Sequence, residues 1–117
     1  MVLDDMERIR SVDKSDLLGR VVGLPRQIRD AIESMAGVPV PREYAGCPSI
    51  TVLGMGGSGI PGDFLQAIYR AECPVPIRVH KDYGLPPMVG RDALVFAISY
   101  SGTTAETLDA FSEALDR

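Results

Sequence analysis

The chain has 117 residues, 45% hydrophobic and 24% charged, a composition that suits one small globular domain and excludes disorder as a global description. Twelve basic against sixteen acidic residues give a formal net charge of −4 at pH 7, and no basic block supplies the positive field that a nucleic-acid groove needs. The acidic start Met1-Val2-Leu3-Asp4-Asp5, the absence of a long apolar run, and two widely spaced cysteines, Cys47 and Cys73, argue against a secretory leader, a membrane span, a disulfide and a metal site; the expectation is a cytoplasmic protein with free thiols.

Residues 1–14 read as a polar surface segment. Ser15 offers an N-cap for a helix carrying Leu17, Leu18, Val21 and Val22. Pro25 suits the first position of a second helix, whose apolar face is Ile28, Ile32 and Met35 and whose wet face pairs Arg26 with Asp30 and Arg29 with Glu33. Gly37 ends it, and Pro39, Pro41 and Pro48 keep the next stretch irregular. Ser49–Leu53 is a β-rich run. Ile60–Arg70 is helical, with Phe64, Leu65, Ile68 and Tyr69 expected to face inward. Val75–Val79 and Ala93–Ile98 are two further strands, separated by a turn-rich loop. Thr104–Asp116 is a last helix with Leu108, Phe111 and Leu115 along its inner side. Strands alternating with helices predict a three-layer α/β/α sandwich around a parallel sheet. Three strands leave open sheet edges, so the expectation is an incomplete domain, a piece of a longer protein.

Two loops stand out: Gly54-Met55-Gly56-Gly57-Ser58-Gly59 and Ser99-Tyr100-Ser101-Gly102-Thr103-Thr104. Each follows a strand and precedes a helix. Alone, each is equally an ordinary turn with helix caps. The first also matches the G-x-G-x-x-G dinucleotide fingerprint, but Val79-His80-Lys81 stands where a ribose-binding acid belongs, with Asp82 already in the following loop. A flavodoxin-like strand order, 2-1-3, instead brings both loops to one switch-point crevice. There the backbone N–H groups of Gly56, Gly57 and Ser58 meet the hydroxyls of Ser99, Ser101 and Thr104, a cup for the phosphate of a small molecule.

These residues carry a family resemblance. Ser99-x-Ser101-Gly102-x-Thr104-x-Glu106-Thr107 resembles the phosphate loop of sugar isomerase (SIS) domains. Gly54–Gly59 with Gly62-Asp63, and Asp13-Lys14-Ser15, Leu24-Pro25-x-Gln27-Ile28 and Tyr83-x-Leu85-Pro86, are similar to bifunctional phosphoglucose/phosphomannose isomerases. The likeness runs from about Asp13 to the C-terminus. It implies a SIS fold over residues 15–117 and an aldose–ketose isomerase that interconverts glucose 6-phosphate or mannose 6-phosphate with fructose 6-phosphate, without a metal or other cofactor. By position, Gly57, Ser58, Ser99, Ser101 and Thr104 would bind the sugar phosphate, with Gly56 as a further backbone donor. The family's base glutamate, ring-opening histidine, arginine and lysine fall beyond Arg117, and the histidine comes from the partner subunit of a homodimer, so no catalytic residue is expected in this chain. Thr103 departs from the asparagine frequent in relatives. Two other readings remain at this stage: a non-catalytic SIS module that senses a phosphosugar, and a nucleotide-binding Rossmann domain.

The remaining candidates have no expected part in binding. His80, the single histidine, ends the second strand away from the crevice and reads as a surface residue. Glu106 has capping-box spacing from Thr103, Asp63 suits a helix N-terminus, and Met55 packs beneath its loop.

Overall fold

A computed structural model describes residues 4–117; residues 1–3 of the expected surface segment lie outside the described residues. The chain divides between Val40 and Pro41 into two compact units.

The first unit is helical: α1 (Met6–Val12), α2 (Leu17–Val22) and α3 (Leu24–Met35). α1 lies within the stretch read from sequence as surface segment; it is helical, with most of its residues exposed, and Asp5 caps it by accepting from the Arg8 N–H at 3.0 Å. Ser15 is not the cap of α2. The Asp13 carboxylate takes that role, accepting from the N–H groups of Leu17 and Leu18 at 2.8 Å each, while Asp16 turns the chain in a left-handed conformation, φ 52°. Those bonds, Leu18 first and Leu17 second, hold the Asp13 carboxyl below its ordinary pKa. Pro25 falls in the first turn of α3, and the Arg26–Asp30 pair forms at 3.6 Å. Ile28, Ile32 and Met35 are exposed.

The second unit holds β1 (Ile50–Leu53), α4 (Ile60–Tyr69), β2 (Ile77–His80), β3 (Leu94–Ala97) and α5 (Ala105–Leu115). The sheet is parallel throughout, in the order β2-β1-β3, which is the 2-1-3 arrangement expected from sequence. β1 is central and buried on both faces, as its unbroken run Ile50-Thr51-Val52-Leu53 requires. Neighbouring strand residues point to opposite faces. On one face α4 rests on Val52 and Val79 through Gly62; on the other, Ala110 of α5 packs with Leu53, Leu85 and Val89. The α/β sandwich is thus present, with an open three-stranded sheet.

The helix faces differ from the sequence reading. Phe64 and Ile68 are 63% and 62% exposed, Leu65 and Tyr69 are exposed too, and so are Leu108, Phe111 and Leu115. The sheet-facing positions are small: Gly62 on α4, and Thr107 and Ala110 on α5. A Cβ on Gly62 would sit 3.0 Å from atoms of both Val52 and Val79, so α4 approaches too closely for a larger residue. α5 is further tied to the loop after β2: the Gly84 N–H donates to Asp109, the Leu85 N–H to Glu113 (2.8 Å each), and Arg117 donates to the Val89 carbonyl at 2.7 Å. No helix among the described residues is long and apolar enough to cross a membrane.

Two outcomes follow. Gly62→Leu gains helix propensity of about 1 kcal/mol at most but must push α4 off the sheet, so a net loss of about 1–3 kcal/mol is expected in urea unfolding. Asp13, with a depressed folded pKa, supports α2 at neutral pH, and that support is lost as pH falls through the folded value. The protection of the Leu17 and Leu18 amides, measured as exchange relative to the intrinsic rate at each pH, should therefore fall in acid, and should already be low at neutral pH in Asp13→Asn.

Candidate functional site

The two loops leave the same end of adjacent strands. The Gly54 N–H donates to the His80 carbonyl at 3.1 Å, and the Ile98 N–H donates to the Leu53 carbonyl at 2.8 Å. Gly54 is squeezed between them: a Cβ there would lie 2.7 Å from the Ser58 carbonyl oxygen and 3.2 Å from that of Ile98. Gly56, at φ +51°, opens a 3-10 turn over Gly56–Gly59 that runs directly into α4. The Ser58 N–H closes this turn on the Met55 carbonyl at 2.9 Å. Of the three backbone donors expected here, Ser58 is therefore already used. Gly56 and Gly57 occupy the opening positions of the turn, whose N–H groups have no carbonyl partner within it, and both are exposed.

The second loop gathers its hydroxyls. Ser99 Oγ lies 3.0 Å from Thr104 Oγ1 and 3.5 Å from Ser101 Oγ, and Ser101 Oγ lies 3.4 Å from Thr104 Oγ1. The Gly102 N–H donates to Ser99 Oγ at 3.1 Å and the Thr103 N–H to Ser101 Oγ at 3.2 Å; Gly102 takes φ +69° to make this turn. Thr104 is the N-cap residue of α5, yet its side chain makes no capping bond; its hydroxyl joins the cluster instead. The capping box expected between Thr103 and Glu106 does not form, because Thr103 lies one residue outside the cap and its hydroxyl donates to Ser101 at 3.2 Å. The first N–H groups of α5 are left without a side-chain acceptor, beside three hydroxyls.

One bond joins the loops: the Tyr100 N–H donates to Ser58 Oγ at 3.4 Å. The structure thus brings Ser58, Ser99, Ser101 and Thr104 together at the mouth between β1 and β3. Two recesses of the same unit, of about 540 Å³ beside α4 and about 460 Å³ between β2 and the loop at Tyr83–Val89, include no residue of either loop.

His80 is half-buried and turns its ring toward the Tyr83 carbonyl, Nε2 at 3.3 Å. Asp82 accepts from the adjacent Tyr83 N–H at 2.8 Å and so holds its own turn. Met55 is half-buried. Cys47 and Cys73 are free and half-buried. Sequence reasoning passed over Lys81, whose side chain lies against Gly59 and pairs with Asp63 at 2.6 Å. Its place immediately after β2, at the loop end of the sheet, is the signal that could have found it.

An open parallel α/β protein with a hydroxyl-lined crevice at the switch point is the class these features define. The chain is similar to the bifunctional phosphoglucose/phosphomannose isomerase of Caldicellulosiruptor bescii, 38% identical over 94 residues, which is 80% of this chain and 28% of that protein. It is 54% identical over 69 residues to the enzyme of the same name from Aquifex aeolicus, covering 58% of this chain and 22% of that one. It is also 40% identical over 65 residues to the D-glucosamine-6-phosphate 4-epimerase of Sulfolobus acidocaldarius, covering 56% and 20%. The chain is a relative of the bifunctional phosphoglucose/phosphomannose isomerases and spans between a fifth and a third of the length of the curated relatives it matches. No family model matches it, and no solved structure matches it significantly.

The glycines of the first loop should separate cleanly. Gly54→Ala drives a methyl into two backbone carbonyls and is expected to cost about 1–3 kcal/mol, read as a lowered melting temperature. Gly57→Ala, whose methyl meets nothing within 4 Å, should melt with the unaltered chain.

Proposed function

We propose that this chain supplies the phosphate seat of a sugar-phosphate aldose–ketose isomerase that interconverts glucose 6-phosphate or mannose 6-phosphate with fructose 6-phosphate. The observation that carries this reading is the apposition of the two loops, with Ser99, Ser101 and Thr104 hydroxyls mutually within 3.5 Å and Ser58 bonded across to Tyr100. A phosphate dianion offers many acceptor lone pairs and wants converging donors. Here the donors are the hydroxyls of Ser58, Ser99, Ser101 and Thr104, the N–H groups of Gly57 and Gly56, and the uncapped start of α5, where the helix dipole adds positive potential. The relatives' names support the hexose: they specify phosphoglucose, phosphomannose and glucosamine 6-phosphate. A phosphorylated hexose is common to an isomerase and an epimerase, which suits a seat that grips the phosphate and leaves the reaction to other groups.

On this reading residues 15–117 form the N-terminal SIS subdomain of a cytoplasmic, homodimeric enzyme that uses no cofactor. Moving a proton between C1 and C2 needs a base within hydrogen-bond reach of the carbon. The seat is built from glycine, serine and threonine, so this chain binds and positions while the base comes from outside it. A second reading, a non-catalytic module that senses a phosphosugar, is favoured by the same absence of a base among the seat's residues. A nucleotide-binding Rossmann domain is disfavoured by Asp82, whose carboxylate is engaged by its own turn.

Fructose 6-phosphate should raise the melting temperature of the chain and NAD should not; a response to NAD alone overturns the proposal. Ser101→Ala and Thr104→Ala should each weaken fructose 6-phosphate binding roughly tenfold or more, since each removes a hydrogen bond to a charged group, with the melting temperature of the free chain little changed. Glucose 6-phosphate turnover by the isolated chain should stay at background, and robust turnover would show that a base is present here.

A further inference from the structure

Lys81 follows β2 at the loop end of the sheet, and its stem lies across the glycine loop: a Cβ placed on Gly59 would come within 2.8 Å of Lys81 Cε and 3.4 Å of Cδ. Its Nζ donates to Asp63 Oδ2 at 2.6 Å, with the two side chains 43% and 47% exposed. Asp63 stands in the first turn of α4. A carboxylate there is drawn to the positive end of the helix, which is the end that follows the glycine loop. Asp63 and the phosphate of a ligand are therefore two anions with a claim on one patch of positive potential. An unpaired Asp63 would compete for that patch and repel a dianion, a repulsion between exposed charges that salt screens.

We infer that Lys81 is a positioning residue for anion binding: it neutralises Asp63 and holds it against β2, leaving the mouth of the glycine loop to the phosphate. This rests on the phosphosugar reading of the site and adds to it a residue outside the two loops. A pair this exposed contributes little to folding, so its effect should appear in ligand affinity more than in stability. The aliphatic stem over Gly59 and the charge on Nζ are separable, because methionine keeps the first and loses the second.

The test is titration calorimetry on the 117-residue chain at low ionic strength, with fructose 6-phosphate and with inorganic phosphate. Lys81→Met should weaken both by about three- to tenfold, and the loss should shrink as salt is raised. Lys81→Gln, run in parallel, should behave alike, and Lys81→Arg should restore affinity. Asp63→Asn alone should bind as well as the unaltered chain or better. The double variant Lys81→Met with Asp63→Asn should recover the original affinity, which a merely structural role for Lys81 would not produce. Equal affinity in Lys81→Met and the unaltered chain overturns the role of Lys81 and leaves the seat standing. A double variant as weak as Lys81→Met overturns it too, since Lys81 would then act by touching the ligand or by packing. Failure of the unaltered chain to bind either anion overturns the reading of the site and this role together.

Discussion

A single peptide group, between Leu53 and Gly54, bonds the central strand to both its neighbours: its N–H meets the His80 carbonyl at 3.1 Å and its carbonyl meets the Ile98 N–H at 2.8 Å. Both strand pairings end at this point, and both the glycine loop and the hydroxyl loop begin at or beside it. Had β1 slipped one residue against either neighbour, its apolar side chains would change faces and the two loops would no longer leave the sheet level with each other. Glycine is required at the junction because the first loop folds back over it and the Ile98 carbonyl stands on its other side. The apposition of Ser58 and Tyr100 thus follows from sheet register, and needs no large side chain to hold it.

The same economy governs the crevice. Thr104 begins α5 without capping it, and its hydroxyl turns to Ser99 and Ser101. A helix start without a side-chain cap forgoes roughly 0.5–2 kcal/mol. What is gained is a cluster of neutral donors next to uncompensated helix N–H groups, in a chain whose net charge of −4 would otherwise disfavour an anion. On the proposed reading, the local field, with little help from the global one, has to do the binding. In that setting the pairing of Asp63 with Lys81, in the first turn of α4, bears on the field at the glycine loop.

What could be read from sequence was local. Strand runs bounded by glycine and proline, and loops dense in glycine and hydroxyls, reveal themselves over five or six residues, and the 2-1-3 order followed from asking which topology lets both loops face one crevice. Helix faces could not be read this way. The reading assumed that Phe64, Ile68, Leu108 and Phe111 would meet the sheet, since large apolar side chains ordinarily do. The opposite arises because α4 is held close to the sheet by the short turn from β1, and only Gly62 fits that gap; on α5, Thr107 and Ala110 play the same part. Capping failed for a related reason. Asp13 reaches over three residues to Leu17 and Leu18, and Thr103 lies one position too early for its box with Glu106, displaced by the hydroxyl cluster that sequence spacing alone does not reveal.

On the proposed reading, the seat and the chemistry are separable parts of one enzyme, and the physics of the seat explains why. Interactions with the 6-phosphate are equally present before and during proton transfer at C1 and C2, so by themselves they bind substrate and transition state alike. Their catalytic worth lies in fixing the sugar so that a base can be placed within reach of one carbon. That role asks for rigidity and makes no demand on acid–base strength, and the crevice fits it: glycine junctions fixed by backbone contact, hydroxyls bonded to one another, and an ion pair beside the loop, Lys81 with Asp63, closed on itself. A seat of this kind can serve an isomerase or an epimerase without alteration, because what distinguishes those reactions is decided at carbons the phosphate does not touch.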